Sequence, residues 1–210
     1  MNEMGMTSDE DLARDARAGS VASFETLARR VQAPLVAFLQ RRFPSRRDAE
    51  DVAQEALVRA WQALPSYRDG MRWRTWVFTI AYRLAVSRGR GERASVPMLA
   101  ADGPHDRKDG PAQVLERREQ GERVWATARA VLAEEQVSAL WLFHVEELPA
   151  GEVARVLGRS WVSVKTMLHR ARRKLEPHLA AEVDHGDDRT AAPVSRRRRA
   201  VAQEVCDEAN

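Results

Sequence analysis

Cysteine is almost absent: Cys206 is the one cysteine in 210 residues. An intramolecular disulfide is therefore excluded, and a cysteine-based metal site has no ligand set to draw on. Long apolar runs are missing too, and none approaches the roughly 20 residues that span a bilayer. The opening stretch MNEMGMTSDEDLARD is polar and acidic, unlike the apolar core of a secretion signal. Together these absences point to a reducing, cytoplasmic setting. No glycine-rich phosphate loop or nucleophile motif occurs. The histidines, His105, His144, His169, His178 and His185, fall at no recognisable ligand spacing, and His185 beside Asp187 and Asp188 lies near the chain end. Catalysis, a cofactor and a metal are not expected.

A large charge excess is also lacking. The net charge is only +3 although the isoelectric point is about 9.5, so clustering of the basic residues carries the information. Hydrophobic residues at 44% suffice for real cores, and 31% charged residues favour helices with long solvated faces. Glycine and proline sit mainly at boundaries, which predicts an all-α protein. No internal repeat is present.

The chain is organised around the stretch from Pro149 to Leu175, PAGEVARVLGRSWVSVKTMLHRARRKL. It reads as two short helices and a tight turn. Gly158 can end the first helix in the left-handed conformation, and Ser160 can cap the second. Val164, Leu168, Ala171 and Leu175 recur at i, i+4, i+7 and i+11, one buried stripe. The remaining surface carries Lys165, Thr166, His169, Arg170, Arg172, Arg173 and Lys174, with no acid between Trp161 and Leu175. A charged helix face is usually just solvated. Here the turn has helix-turn-helix length, and Ser163 and Thr166 stand near the helix start, where base edges are read. The pattern suits a DNA major groove.

Upstream, residues 9–43 read as two helices. Ser8, Asp9 and Asp11 mark the first start and Gly19-Ser20 its end. Pro34 interrupts the second pattern and is expected to kink or break it. Residues 46–64 form the next helix, with Asp48 as a candidate cap and Ala49, Val52, Ala56, Ala60 and Trp61 as its packing side. Asp51, Gln54, Glu55 and Gln62 share another side, which on spacing alone reads as plain solvation. After the loop PSYRDG, the residues Trp73, Trp76, Val77, Ile80, Ala81 and Leu84 make a helical core stripe. Tyr67, Arg68, Arg72, Arg74, Phe78, Tyr82, Arg83, Arg88 and Arg90 lie off it. Arginines mixed with aromatics beside a loop is a pattern that holds single-stranded bases.

Residues 89–113 lose all periodicity and read as a mobile linker. Helices resume near Ala112. In the helix from Glu134 to Phe143, Val137, Leu140, Trp141 and His144 are expected to face inward. Beyond 180 the chain reads as a solvated tail, including the basic run Arg196 to Arg199. The expected architecture is two small helical domains joined by a flexible linker: residues 1–90, a linker over 91–113, a helix-turn-helix domain over 114–180, and a tail over 181–210.

With these residues in this order, the chain resembles a bacterial sigma factor of the extracytoplasmic-function (ECF) type. Four stretches carry the likeness: DEDLARDARAGSVASFETLARR, DAEDVAQEALVRAWQALPSYR, WRTWVFTIAYRLA and LPAGEVARVLGRSWVSVKTMLHRARRKL. The resemblance implies a subunit that makes core RNA polymerase promoter-specific. It implies polymerase docking through Asp48, Asp51, Gln54 and Glu55. It implies capture of the melted −10 element by Tyr67, Arg68, Arg72, Arg74 and Arg83. It implies reading of the −35 element by Ser163, Lys165, Thr166, His169, Arg170 and Arg173. Promoter DNA and core polymerase are the implied partners, together with control by an anti-sigma factor. Small residues are common in the family where Trp161 and Val162 stand, and Gly where Glu147 stands. An operator-binding regulator that works without polymerase is the rival; it leaves the Asp48–Glu55 stripe and the arginine–aromatic loop unexplained.

Overall fold

The computed structural model describes residues 7–43, 45–89 and 111–184. Among them every regular element is helical. The order is α1 (Asp9–Arg17), α2 (Val21–Leu39), α3 (Arg46–Ala63), a 3-10 turn at Leu64–Ser66, α4 (Trp73–Gly89), α5 (Pro111–Val131), α6 (Glu134–His144), α7 (Ala150–Leu157) and α8 (Trp161–Asp184). Residues 1–175 make one compact unit and 176–210 a second, of which only the end of α8 is described. The predicted linker lies outside the described residues up to position 110, and the tail outside them from 185; residues 181–184 are still helical.

Serines start the first three helices. The side chains of Ser8, Ser20 and Ser45 accept from the backbone N–H groups of Asp11, Ser23 and Asp48. Each satisfies a donor that the helix itself cannot. The cap of α3 is therefore Ser45; Asp48, the expected cap, sits in the first turn, where its charge suits the helix dipole. Helix α2 runs unbroken through Pro34. The ring removes one hydrogen bond, but buried Val31, Leu35 and Phe38 anchor the chain on both sides of it.

The first module packs α2, α3 and α4 together, with α1 across them. Helix α3 contributes only small side chains to the inside, Ala49, Val52, Ala53, Ala56 and Ala60, so its neighbours approach closely. Trp61 does not join them: it is exposed, with one edge against Phe24 at 4.9 Å between ring centroids. Trp73 is fully buried and stands 5.8 Å from Tyr67 and 5.3 Å from Trp76, ring to ring. Helix α1 ties this cluster down. Arg17 donates to the Tyr67 carbonyl at 2.9 Å and pairs with Asp69 at 3.1 Å, and Glu10 accepts from the Trp73 backbone N–H at 3.3 Å.

The second module is built on Trp141, Leu140, Leu142, Val153, Val156 and Leu157 with the inner stripe of α8. Trp125 and Trp141 meet at 4.9 Å between centroids. Val137, Leu140 and Trp141 point inward as expected, but His144 is exposed beside Arg172, its Nε2 lying 3.2 Å from the guanidinium. The turn into α7 places Glu147 at φ 52°, a left-handed conformation in a non-glycine residue.

The two modules do not stand apart within the first unit: α4 packs on α7, and the end of α2 on α6. Helix α4 is thereby covered on nearly every side. Phe78 and Tyr82, read from the sequence as surface aromatics, are buried, Phe78 against Phe38 at 5.3 Å. The core stripe alone could not show this, because the side chains that cover them come from segments remote in the chain.

Two of the left-handed positions, Gly158 and Glu147, yield opposite expectations. Gly158 (φ +65°) replaced by Ala should cost about 1–2 kcal/mol. Glu147→Gly should relieve strain and raise stability by up to about 1 kcal/mol. Urea unfolding midpoints of the two variants against the parent check both.

Candidate nucleic-acid and polymerase interface

The helix-turn-helix forms from its local chemistry. Helix α7 ends at Gly158, whose N–H bonds the Arg155 carbonyl at 3.3 Å while the Arg159 N–H bonds the Ala154 carbonyl at 2.9 Å. That pair of bonds is a Schellman closure, and it needs the left-handed residue in the middle. Ser160 then accepts from the Ser163 N–H at 3.2 Å and starts α8. The stripe Val164, Leu168, Ala171 and Leu175 is buried, as its spacing required.

The outer face of α8 holds Ser163, Thr166, His169, Arg170 and Arg173, all exposed. Thr166 donates to the Val162 carbonyl at 3.0 Å, which leaves its oxygen lone pairs outward. Lys165 is half-buried, its ammonium 4.1 Å from the centre of the Trp161 ring. Two further cations of the run serve the fold: Lys174 donates to the Val131 carbonyl at 2.8 Å, and Arg172 lies over Phe143 at 5.6 Å. The positive face is therefore narrower than the run of basic letters: of the six residues expected to read DNA, five are exposed and Lys165 is half-buried against Trp161.

On α3, Asp48, Asp51 and Gln54 are exposed along one side. Glu55 differs. It pairs with Arg59 at 2.5 Å and with Arg88 from α4. Partial burial would raise its pKa, but hydrogen bonding and charge from Arg88, with Arg59 behind it, outweigh that and hold the carboxyl below its ordinary value. The same side continues to Val58 and Trp61, which are 55% and 38% exposed. Sequence reasoning assigned neither to a surface. The signal was their i+3 and i+4 spacing from Glu55, Gln54 and each other.

The residues expected to hold the −10 element are placed very differently from one another. Arg68 and Arg83 are exposed. Tyr67 is not available: it is 2% exposed, and its hydroxyl donates to the Met71 carbonyl at 2.5 Å. Burial first, then the nearby Glu10 and Asp69, push that hydroxyl up to about 12. Tyr67 is a core residue holding the loop, and no base can stack on it in this conformation. Arg72 pairs with Glu152 of α7 at 3.2 Å. Arg74 is bonded to Glu146, and the Thr75 hydroxyl to Glu152.

Glu146 is the centre of this contact. It is buried, accepts from the Trp141 indole N–H at 3.2 Å and from Arg74, and its pKa is raised because burial outweighs those two partners. Beside it, Arg41 from the end of α2 is buried with its guanidinium 4.4 Å from the Trp141 ring and 5.7 Å from that of Trp125. Burial draws its pKa down to about 10, against the opposing charge of Glu122 at 3.9 Å. Arg42 pairs with Glu134 at 3.0 Å. None of these pairs was legible in the sequence, because each partner comes from a different module.

Among the described residues no cluster of three His, Cys, Asp or Glu side chains could hold a metal, and no helix is long and apolar enough to cross a membrane.

Comparison with known proteins places both modules. Residues 27–94 match the model for Sigma-70 region 2, and residues 126–175 that for Sigma-70 region 4. The chain is 31% identical over 160 residues to RNA polymerase sigma factor YlaC of Bacillus subtilis, covering 75% of this chain and 92% of the relative. It is 29% identical to the RNA polymerase sigma-H factor of Pseudomonas aeruginosa, over 81% of this chain and 93% of that protein. Among solved structures, CnrH in complex with the cytosolic domain of CnrY is similar with a TM-score of 0.63 and 26% identity, over 83% of this chain and 99% of that one. A helix-turn-helix with a cationic face, an acidic stripe on α3 and these matches lead to one conclusion: the chain belongs to the ECF-type RNA polymerase sigma factors, non-enzymatic proteins that direct transcription initiation through regions 2 and 4.

Proposed function

We propose that the exposed side of α3 docks this sigma factor on core RNA polymerase and that the outer face of α8 reads the −35 element. The observation that carries the second half is the exposed, acid-free face of Ser163, Thr166, His169, Arg170 and Arg173 presented from a closed Schellman turn. A helix held by one apolar stripe and cationic on the other side fits a major groove. Arg170 is placed for a guanine edge, and Arg173 and Lys165 for base edges or phosphates. On α3, Asp48, Asp51 and Gln54 supply the polar contacts, with Val58 and Trp61 as an apolar continuation; Glu55 acts through its pairing with Arg59 and Arg88.

The −10 element falls to Arg68, Arg72, Arg74 and Arg83. Promoter opening needs no covalent chemistry. It needs contacts that repay unstacking of extruded bases, at about 1–3 kcal/mol for each base stacked on a side chain. With Tyr67 in the core, guanidinium planes are the stacking surfaces left. In the packed arrangement Glu146 and Glu152 hold Arg74 and Arg72, so capture of the −10 strand requires α7 to leave α4. Carboxylate and phosphate are oxyanions that compete for the same guanidinium groups. An anti-sigma protein is the third partner; the similar CnrH was solved with the cytosolic domain of CnrY bound. The site of action is the cytoplasm, where polymerase and promoter are.

Run-off transcription with core polymerase and this protein tests the whole reading: transcripts should start at discrete promoters. Arg170→Ala should lose about 1–3 kcal/mol of duplex affinity at one base pair and keep core-polymerase affinity, measured by anisotropy on each partner. Asp51→Ala with Gln54→Ala should do the reverse. Glu146 makes the packed form sensitive to pH. Its folded pKa lies above the ordinary 4.5, so the stability from holding that proton is fully present below 4.5 and is lost as pH rises through the folded value. Unfolding midpoints measured from pH 4.5 upward should fall over that window, and Glu146→Gln should flatten the fall.

A further inference from the structure

Helix α8 opens with two large apolar side chains that the fold leaves uncovered, Trp161 at 50% and Val162 at 63% exposed. The stripe that anchors the helix begins only at Val164, and neither side chain belongs to it. Val162 stands at i−4 and i−7 from Thr166 and His169 and therefore leads the face that carries them. Trp161 stands one turn before Lys165. Its Cδ1 lies 4.0 Å from where a Cβ on Gly151 would sit, and the Lys165 ammonium rests over its ring at 4.1 Å.

Apolar exposure of this kind marks a contact surface. The charge around it decides what the contact is. The face is cationic, with no acid from Trp161 to Leu175, and it continues the DNA-reading surface without a break. In a major groove the apolar feature available to such side chains is the C5-methyl group of thymine. We propose that Val162 and Trp161 are specificity-determining residues of the upstream element: Val162 packs on a thymine methyl, and Trp161 positions the Lys165 ammonium through its ring. A cation held over an aromatic face is confined to fewer positions than a free lysine, so its contact to the neighbouring base or phosphate is fixed in register. This inference rests on α8 being the duplex-reading helix.

The test uses the full chain bound to core polymerase. A preferred upstream duplex is selected from a randomised library, and each thymine is then replaced by uracil, which removes only the C5-methyl group. At one thymine or more, affinity should fall about three- to tenfold, the worth of one buried methyl. In Val162→Ala the same replacement should change affinity by less than twofold. Trp161→Leu should weaken binding in the parent and have little further effect once Lys165→Ala is present. Both side chains are exposed, so helicity by circular dichroism should be unchanged in every variant. Equal sensitivity to uracil in the parent and Val162→Ala, or no sensitivity in either, overturns the thymine contact; additive losses at Trp161 and Lys165 overturn the positioning role. Arg170→Ala on the selected duplex separates the two levels. If it binds as the parent does, the assignment of α8 itself fails, and this inference with it. If it binds poorly while uracil is tolerated, only the present inference is wrong.

Discussion

Helix α4 packs against both modules at once, and much of the structure follows from that constraint. One side is committed to α2 and α3 through Trp73, Val77, Phe78, Ala81 and Leu84. Arg72, Arg74 and Thr75, at its start, project toward α7 and meet Glu146 and Glu152 there. A buried carboxylate is tolerable only with compensating donors. Glu146 finds them in Arg74 and the Trp141 indole, one from each module. The first module therefore completes a polar group that the second leaves buried. Breaking the contact exposes both sets of charges to water.

Arg41 is the apolar counterpart of that contact. Its guanidinium lies against two indole rings of the second module while its charge is answered by Glu122 at the limit of ion-pair distance. A weakly hydrated planar cation is suited to such a place, and lysine would not be. The packed arrangement thus includes stacking, buried hydrogen bonds and ion pairs.

Function in this chain is a matter of which charges the fold spends internally and which it leaves outside. Of the cations on α8, Arg172 and Lys174 are turned onto the module's own surface, Lys165 rests over the Trp161 ring, and Arg170 and Arg173 are presented. Of the polar residues on α3, Glu55 is neutralised by Arg59 and Arg88, and Asp48, Asp51 and Gln54 are not drawn inward. A count of basic and acidic letters overstates both surfaces. The remaining groups are those that can give their full interaction to a partner.

Whatever depends on near neighbours along the chain was determined by the sequence alone. The stripe on α8, the left-handed Gly158, the Ser160 cap and the alanine-rich inner side of α3 all follow from spacing and local backbone chemistry, and the family follows from their order. Boundaries shifted where two residues could do the same job, as with Ser45 and Asp48. The tertiary structure decided what lies opposite each face. It buried Tyr67, Phe78 and Tyr82, left Trp61, Trp161 and Val162 uncovered, and paired Arg72 and Arg74 with Glu152 and Glu146. Periodicity reports that a side of a helix is apolar or charged, but not which remote segment arrives there. The burial and pKa of a group depend on that arrival.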